Sequence, residues 1–69
     1  MKKKITVKGM SCMHCSARVE GALVGVGGRD VTVNLAEGTA LGFFDATDDA
    51  IRQAVEKMGF QVVSVDTLA

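Results

Sequence analysis

The chain has 69 residues, 8 basic and 8 acidic side chains, two cysteines and no proline. A chain of this length forms one domain with a thin core, so we predict a single domain over 1–69. Zero net charge argues against nucleic acid as a partner, and no apolar run is long enough for membrane insertion.

The chain begins with three consecutive lysines, Lys2–Lys4. A signal peptide begins in this way, but no apolar h-region follows the lysines here. We therefore expect a cytoplasmic protein, whose thiols are kept reduced, and a solvated lysine run. Ile5 and Val7 alternate with polar residues, which predicts a short first strand over 4–8.

Residues 9–14 are predicted to form a loop. From Cys15 onward, apolar residues recur at the spacing of an amphipathic helix. The glycine-rich stretch 25–28 should end this helix. Its predicted apolar stripe consists of Val19, Ala22, Leu23 and Val26.

Alternation of apolar and polar residues predicts a second strand over 31–35 and a third over 40–44, joined by a hairpin turn at 36–39. A second helix and a fourth strand follow these four elements. Each half of the chain is then a split βαβ unit.

Thr47 is a good N-cap residue, with the acidic Asp48 and Asp49 behind it in the first helical turn. The apolar stripe of this second helix includes Met58, which we expect in the core, and Gly59 should end the helix. Residues 60–65 are predicted to form the fourth strand.

The order β-α-β-β-α-β predicts an α+β fold of the ferredoxin-like arrangement. It has a four-stranded antiparallel sheet with both helices on one face. The other face should be largely solvated, because it carries Thr6, Thr32 and Asn34. Fold class alone does not identify a function.

Cys12 and Cys15 form a C-x-x-C pair where the first loop meets the first helix. The free backbone N–H groups and the positive dipole end of a helix N-terminus favour the thiolate form of a cysteine there. Two thiolates suffice for Cu(I), whereas Zn(II) normally takes four ligands and Fe–S clusters need four cysteines. A c-type haem site needs His after the second cysteine, but residue 16 is Ser. A dithiol redox pair remains an alternative.

The segment 9–15, Gly-Met-Ser-Cys-Met-His-Cys, followed by Val19-Glu20-Gly21-Ala22-Leu23, resembles the heavy-metal-associated domain. The resemblance continues in order over nearly the whole chain, through 31–35, 40–45, 51–58 and 59–60. Members are free copper chaperones or N-terminal domains of copper-transporting P-type ATPases, and mercury-binding domains are relatives. The resemblance implies that Cys12 and Cys15 carry Cu(I) in an exposed loop, where a partner's own cysteine pair can attack the metal.

The resemblance also implies a partner, either a copper-transporting P-type ATPase or another C-x-x-C metal-transfer protein. Because carriage changes no bond of a substrate, we expect no enzymatic activity. We expect a monomer and leave open a copper-bridged dimer. A start at Met1 and no linker after Ala69 favour a free carrier, whereas Phe60 is more similar to ATPase domains. An ATPase domain, a Hg(II) carrier and a dithiol redox module remain alternatives.

Individual residues refine this interpretation. Zinc-pump relatives tend to have Asp before the first cysteine, so Ser11 favours a soft monovalent ion. We expect Met10 to pack beneath the loop, Met13 to be exposed and His14 to lie outside the first coordination shell. Phe60 is predicted to be a hydrophobic lid and core residue.

The sequence departs from the family pattern at two places. Gly27-Gly28 stands where the family usually has Gly-Val, in a loop that is about one residue shorter. Gly42 stands where the family usually has Val. We expect both departures to affect local packing and Gly42 to weaken its strand.

Overall fold

A computed structural model describes residues 1–10 and 12–68. The prediction based on Ser11 and the predicted domain end at Ala69 lie outside the described residues. The chain folds in the order βαββαβ, and its six elements are β1 (Lys2–Lys8), α1 (Met13–Gly25), β2 (Arg29–Asn34), β3 (Thr39–Phe43), α2 (Asp48–Glu56) and β4 (Gln61–Thr67).

The four strands form one antiparallel sheet in the order β2-β3-β1-β4. Ile5 on the central strand β1 pairs with Ala40 on one side and Val65 on the other. Side chains from one face of the sheet and from both helices share a single core, which contains Ile5, Val7, Val19, Leu23, Ala40, Phe44, Ile51, Val55 and Val62. The predicted ferredoxin-like fold is therefore confirmed.

The face of the sheet away from the helices is mostly polar. Thr32 and Asn34 are exposed and Thr6 is half-buried, in agreement with the prediction. Thr39, between Thr6 and Asn34 in the strand register, is buried. This face is thus solvated at Thr32 and Asn34 on β2 and shielded from solvent at Thr39 on β3.

Helix α2 begins as predicted and ends earlier than predicted. The Thr47 hydroxyl accepts a hydrogen bond of 3.2 Å from the Ala50 N–H, which caps the helix. The helix ends at Glu56, so Met58 falls in the following turn. The prediction that Met58 belongs to the core is wrong, since its side chain leaves the helical stripe and is 42% exposed.

The lysine run at the N-terminus is only partly solvated. Strand β1 begins at Lys2, two residues before the predicted start, which puts Lys3 in phase with Ile5 on the helix-covered face. Lys3 is 7% exposed, and its ammonium pairs with the Asp48 carboxylate at the start of α2. The prediction of a solvated run is therefore wrong for Lys3, while Lys2 is exposed.

The two glycines that depart from the family pattern lie against the same aromatic ring. A Cβ atom at Gly42 would be 3.0 Å from Phe44 Cε2, and one at Gly28 would be 2.6 Å from Phe44 Cε1 and from the Leu23 carbonyl oxygen. Phe44 is 1% exposed and belongs to the core. The space that other side chains would take is thus filled by Phe44, which explains how the core accommodates both glycines.

Candidate metal centre

The loop that carries the cysteines leaves the sheet at the end of β1. Gly9 has a φ of +100°, a backbone conformation that glycine adopts without a steric penalty. A Cβ atom there would lie 3.9 Å from the Phe60 ring. Met10 and Phe60 are half-buried and pack against the core, which confirms the predicted packing of both residues. The base of the loop is therefore anchored by apolar contacts.

Helix α1 begins at Met13, so the predicted loop over 9–14 is too long by two residues. Cys12 is the N-cap residue, with extended backbone angles of φ −155° and ψ 171°. Its carbonyl oxygen accepts hydrogen bonds from the N–H groups of Cys15 at 3.0 Å and Ser16 at 3.2 Å. Its thiol makes no capping hydrogen bond. The backbone of Cys12 therefore starts the helix, and its sulfur is not used as a cap.

The structure brings the two cysteines together. Cys12 Sγ and Cys15 Sγ are 3.4 Å apart, and the two residues form no disulfide. Cys12 is exposed and Cys15 is half-buried in the first turn of α1. With metal–thiolate bonds of about 2.3 Å, two sulfurs on opposite sides of an ion stand up to about 4.6 Å apart. The observed separation of 3.4 Å lies within that limit.

The position of the pair at a helix start bears on which ion it could hold. Both cysteines lie at the positive end of the α1 dipole, and the first turn contains no acidic residue. Within 1–10 and 12–68, no group of three or more His, Cys, Asp and Glu side chains is arranged to hold a metal ion. The described residues therefore offer a two-sulfur site and no ready-made four-ligand site.

The two residues between the cysteines are exposed. Met13 is 79% exposed and His14 is exposed, as predicted for both. His14 does not join Cys12 and Cys15 in a three-residue cluster. Its imidazole is therefore in solvent rather than beside the two sulfurs.

Ser16 contributes to the first turn of α1, although the sequence pattern did not single it out. Its hydroxyl donates a hydrogen bond of 2.9 Å to the Met13 carbonyl oxygen. A serine hydroxyl that bonds to a backbone group three residues earlier is a known local pattern, so Ser16 could have been recognised from the sequence. The bond helps to fix the turn that holds Cys15.

Neither helix in the described part of the chain is long and apolar enough to span a bilayer.

Comparisons with known proteins agree with the geometry. The heavy-metal-associated domain family matches residues 4–61. The copper chaperone CopZ of Enterococcus hirae is 40% identical over 65 residues, covering 88% of this chain and 94% of that protein. A copper-exporting P-type ATPase of Bacillus subtilis is 39% identical over 62 residues, which cover 84% of this chain and 8% of the ATPase.

A solved structure of a CopZ metallochaperone superposes with a TM-score of 0.82 at 33% identity, covering 91% of this chain and all (100%) of that one. The likeness thus includes sequence, fold and nearly the full length of the chain. The chain belongs to the heavy-metal-associated domain family.

Proposed function

We propose that this protein is a copper carrier that holds Cu(I) between the thiolates of Cys12 and Cys15. The observation that carries the proposal is the pair of sulfurs 3.4 Å apart at an exposed helix start. Relatives named copper chaperone CopZ support copper as the cargo. Cu(I) accepts soft thiolate ligands, and a two-sulfur site suits it better than Zn(II), which normally takes four ligands.

The carrier passes copper to a partner by ligand exchange. A thiolate of the partner adds to the bound ion, which becomes three-coordinate, and one thiolate of the carrier then leaves. Cys12 leaves first, because it is the exposed sulfur, whereas Cys15 is half-buried in α1. A copper-transporting P-type ATPase fits as the partner, since a copper-exporting ATPase of Bacillus subtilis contains a related segment. The carrier makes and breaks only metal–sulfur bonds, so it is not an enzyme.

The cysteine pair also bears on the compartment in which the protein acts and on its oligomeric state. Two reduced thiols are maintained in the cytoplasm, where the carrier meets the cytoplasmic side of its partner. The apo protein is a monomer. A copper-bridged dimer would require two exposed cysteine pairs to share one ion, and light scattering with and without Cu(I) distinguishes the two states.

A second function, a regulatory or acceptor domain of a copper ATPase, is favoured by the 39% identity to the Bacillus subtilis ATPase. Both functions use the same cysteine pair. The length of the native open reading frame separates them, because an ATPase continues into membrane-spanning segments.

The test of the proposed function is an anaerobic Cu(I) titration against a strong competing chelator, with Zn(II) and Hg(II) titrated in parallel. We expect one Cu(I) per chain, bound in preference to Zn(II). Cys12→Ser and Cys15→Ser should each abolish this binding. Ala17→Ser, which adds a hydroxyl at an exposed position of α1, is the matched control and should bind as the native chain does. Undiminished one-to-one binding in either cysteine variant would overturn the assignment, and preference for Hg(II) over Cu(I) would change the cargo.

Transfer is tested separately, with the copper-loaded carrier and a purified C-x-x-C domain of a copper ATPase. We expect copper to distribute between the two proteins at equilibrium, because both sites offer the same two ligands. Copper that stays entirely on the carrier at equal concentrations would contradict a role in delivery.

A further inference from the structure

We propose that the face of the sheet away from the helices binds an acidic amphipathic helix of a partner protein. The binding surface lies near the start of β1 and consists of Lys2 and Lys4 on β1 and Leu41 and Phe43 on β3. We call these four residues the basic-apolar patch. The patch is separate from the cysteine loop, so this docking does not depend on which metal the cysteines hold.

Two rows of paired residues build the basic-apolar patch. Lys2 pairs with Phe43, and Lys4 pairs with Leu41, across the two central strands of the sheet. Directly paired residues lie on the same face of a sheet, and the intervening Lys3 is buried on the helix-covered face. Each row therefore places a cation beside an apolar side chain on the open face.

The apolar side chains of the patch are accessible. Phe43 is 41% exposed and Leu41 is half-buried. Leu68 extends the first row just beyond β4, since its N–H donates a hydrogen bond of 2.7 Å to the Lys2 carbonyl oxygen, and it is 50% exposed. Exposed apolar side chains rimmed by charged ones are typical of a surface that contacts another protein.

An open depression beside Phe43 can receive one anchoring side chain of the partner. Its volume is about 240 Å³, and it is lined by Arg29, Asp30 and Phe43. Sites for small molecules begin at about 300 Å³ and enclose most of the ligand. The depression therefore suits a protein side chain better than a free cofactor.

Arg29 can offer its guanidinium to a carboxylate of the partner. Its Nη2 atom is 3.8 Å from Asp45 Oδ2, and the two side chains are 70% and 86% exposed. An ion pair between groups this exposed contributes little to stability, so Arg29 can exchange Asp45 for a new carboxylate at small cost. Arginine and aromatic residues supply much of the binding energy at protein interfaces, which makes Arg29 and Phe43 the expected anchors.

The distribution of charge across the sheet favours a narrow acidic partner over a lipid surface. Lys2 and Lys4 lie on a central strand, whereas Asp30 and Asp66 lie on the edge strands β2 and β4. A helix lying along β1 would meet the lysines and clear both acidic edges. An anionic lipid surface would cover the edges as well and be repelled there. Asp66 also pairs with Lys4 in the strand register, so Lys2 is the cation that attracts the partner most.

The spacing of the two rows suits a helix. Alternate residues of a strand are about 6.6 Å apart, and successive turns of a helix are about 5.4 Å apart. Acidic side chains in one stripe of the helix can thus lie over the two lysines. Apolar side chains in the next stripe then lie over Leu41 and Phe43.

The patch and the cysteine loop are at opposite ends of β1. The seven residues of this strand span about 20 Å, and the loop leaves from its far end. Docking at the patch therefore leaves Cys12 and Cys15 accessible. A partner with both an acidic helix and a cysteine pair would hold the carrier at two points and raise the effective concentration for transfer. Only this last consequence rests on the proposed function.

The test titrates the isotope-labelled apo protein with a synthetic helical peptide that carries glutamates in one stripe and leucines in the next. Amide shifts in NMR spectra should concentrate at the start of β1 and the end of β3, with a Kd below about 1 mM. The same peptide with lysine for glutamate should not bind. No shifts at about 1 mM peptide, shifts confined to the cysteine loop, or equal binding of the lysine peptide would each overturn the proposal.

Lys2→Glu and Phe43→Ala should each weaken peptide binding by about tenfold or more, because each removes one half of the first row. Lys57→Glu, the same charge reversal at an exposed position beyond α2, is the matched control and should bind as the native chain does. Denaturation midpoints of the variants show that they are folded. Equal weakening by Lys2→Glu and Lys57→Glu would indicate general charge attraction and overturn the assigned surface.

Two further arms separate the alternatives. Cys12→Ser should bind the peptide as the native chain does, whether or not the copper assignment holds. Loss of peptide binding in this variant would place the contact at the cysteine loop and overturn the proposal. Vesicles containing phosphatidylserine should not bind, and vesicle binding that Lys2→Glu and Phe43→Ala abolish would assign the patch to a lipid surface instead.

Discussion

The two ends of β1 lie in contrasting surroundings. Near its start, Phe44 is 1% exposed and packs so closely that a Cβ atom would clash at Gly28 and be crowded at Gly42. Beyond its end, Cys12 is exposed and Met13 is 79% exposed. Stability should therefore depend on the Phe44 end and metal binding on the cysteine end. Substitutions at one end should leave the property of the other end unchanged.

The largest expected effect follows from Phe44→Ala. Removal of a fully buried ring should lower the free energy of unfolding by about 3–5 kcal/mol, because it leaves a cavity that the surrounding glycines cannot fill. Chemical denaturation measures the loss, and Cu(I) stoichiometry should stay at one where the protein is folded. Phe43→Ala is the control, since that ring is 41% exposed and its removal should cost far less. Similar losses in the two variants would contradict the contrast between the ends.

Gly28→Ala should have the next largest effect. The added Cβ would lie 2.6 Å from the Leu23 carbonyl oxygen, so the backbone has to shift, at a cost of about 1–3 kcal/mol. Gly21→Ala, at an exposed position of α1 where the new Cβ would meet no atom of another part of the fold within 4 Å, should instead stabilise the fold by about 0.5–1 kcal/mol. Opposite signs of the two shifts in denaturation midpoint are the expected result, and equal signs would refute the close packing at Gly28.

Asp48→Asn should lower the free energy of unfolding by about 1–2 kcal/mol, since it leaves the Lys3 ammonium buried without a counter-charge. The effect should be moderate because water reaches Asp48, whose side chain is 51% exposed. Asp49→Asn, in the same helical turn and exposed, is the control and should change the midpoint little. A further substitution, Lys3→Met in the Asp48→Asn protein, should recover stability. If Lys3→Met restored no stability, the unpaired Lys3 ammonium would not be the cause of the loss.

The smallest effect on stability is expected from Cys12→Ser, within about 0.5 kcal/mol, because its side chain is exposed and makes no capping hydrogen bond. Thermal unfolding of the apo protein measures this directly. A large destabilisation would mean that the thiol supports the fold, and the separation between the two ends would then fail.

The element order and the cysteine pair were predictable from sequence because both rest on local patterns. Two-residue alternation gave the strands, and helical spacing with the Thr47 cap gave α2. The start of α1 was misplaced because Cys12 caps it through its backbone, which leaves no side-chain signal for the start. The approach of the two sulfurs to 3.4 Å follows from that same turn.

Three further features of the fold depend on packing or on where a helix ends. Lys3 is buried because Asp48 meets it from another element, 45 positions away. Gly42 is tolerated in β3 because the ring of Phe44 occupies the space beside it. Met58 is exposed because α2 ends at Glu56, although the helical spacing continues beyond that residue. A single sequence gives no local signal for any of these.

The most direct test of the account is X-ray absorption at the copper edge of the protein loaded with one equivalent of Cu(I). We expect two sulfur ligands and no nitrogen ligand, because His14 lies in solvent apart from the cysteine pair. The Cys15→Ser protein should lose this two-sulfur signature. A nitrogen ligand in the native protein, or a two-sulfur site that survives in the variant, would contradict the central claim that Cys12 and Cys15 alone hold the ion.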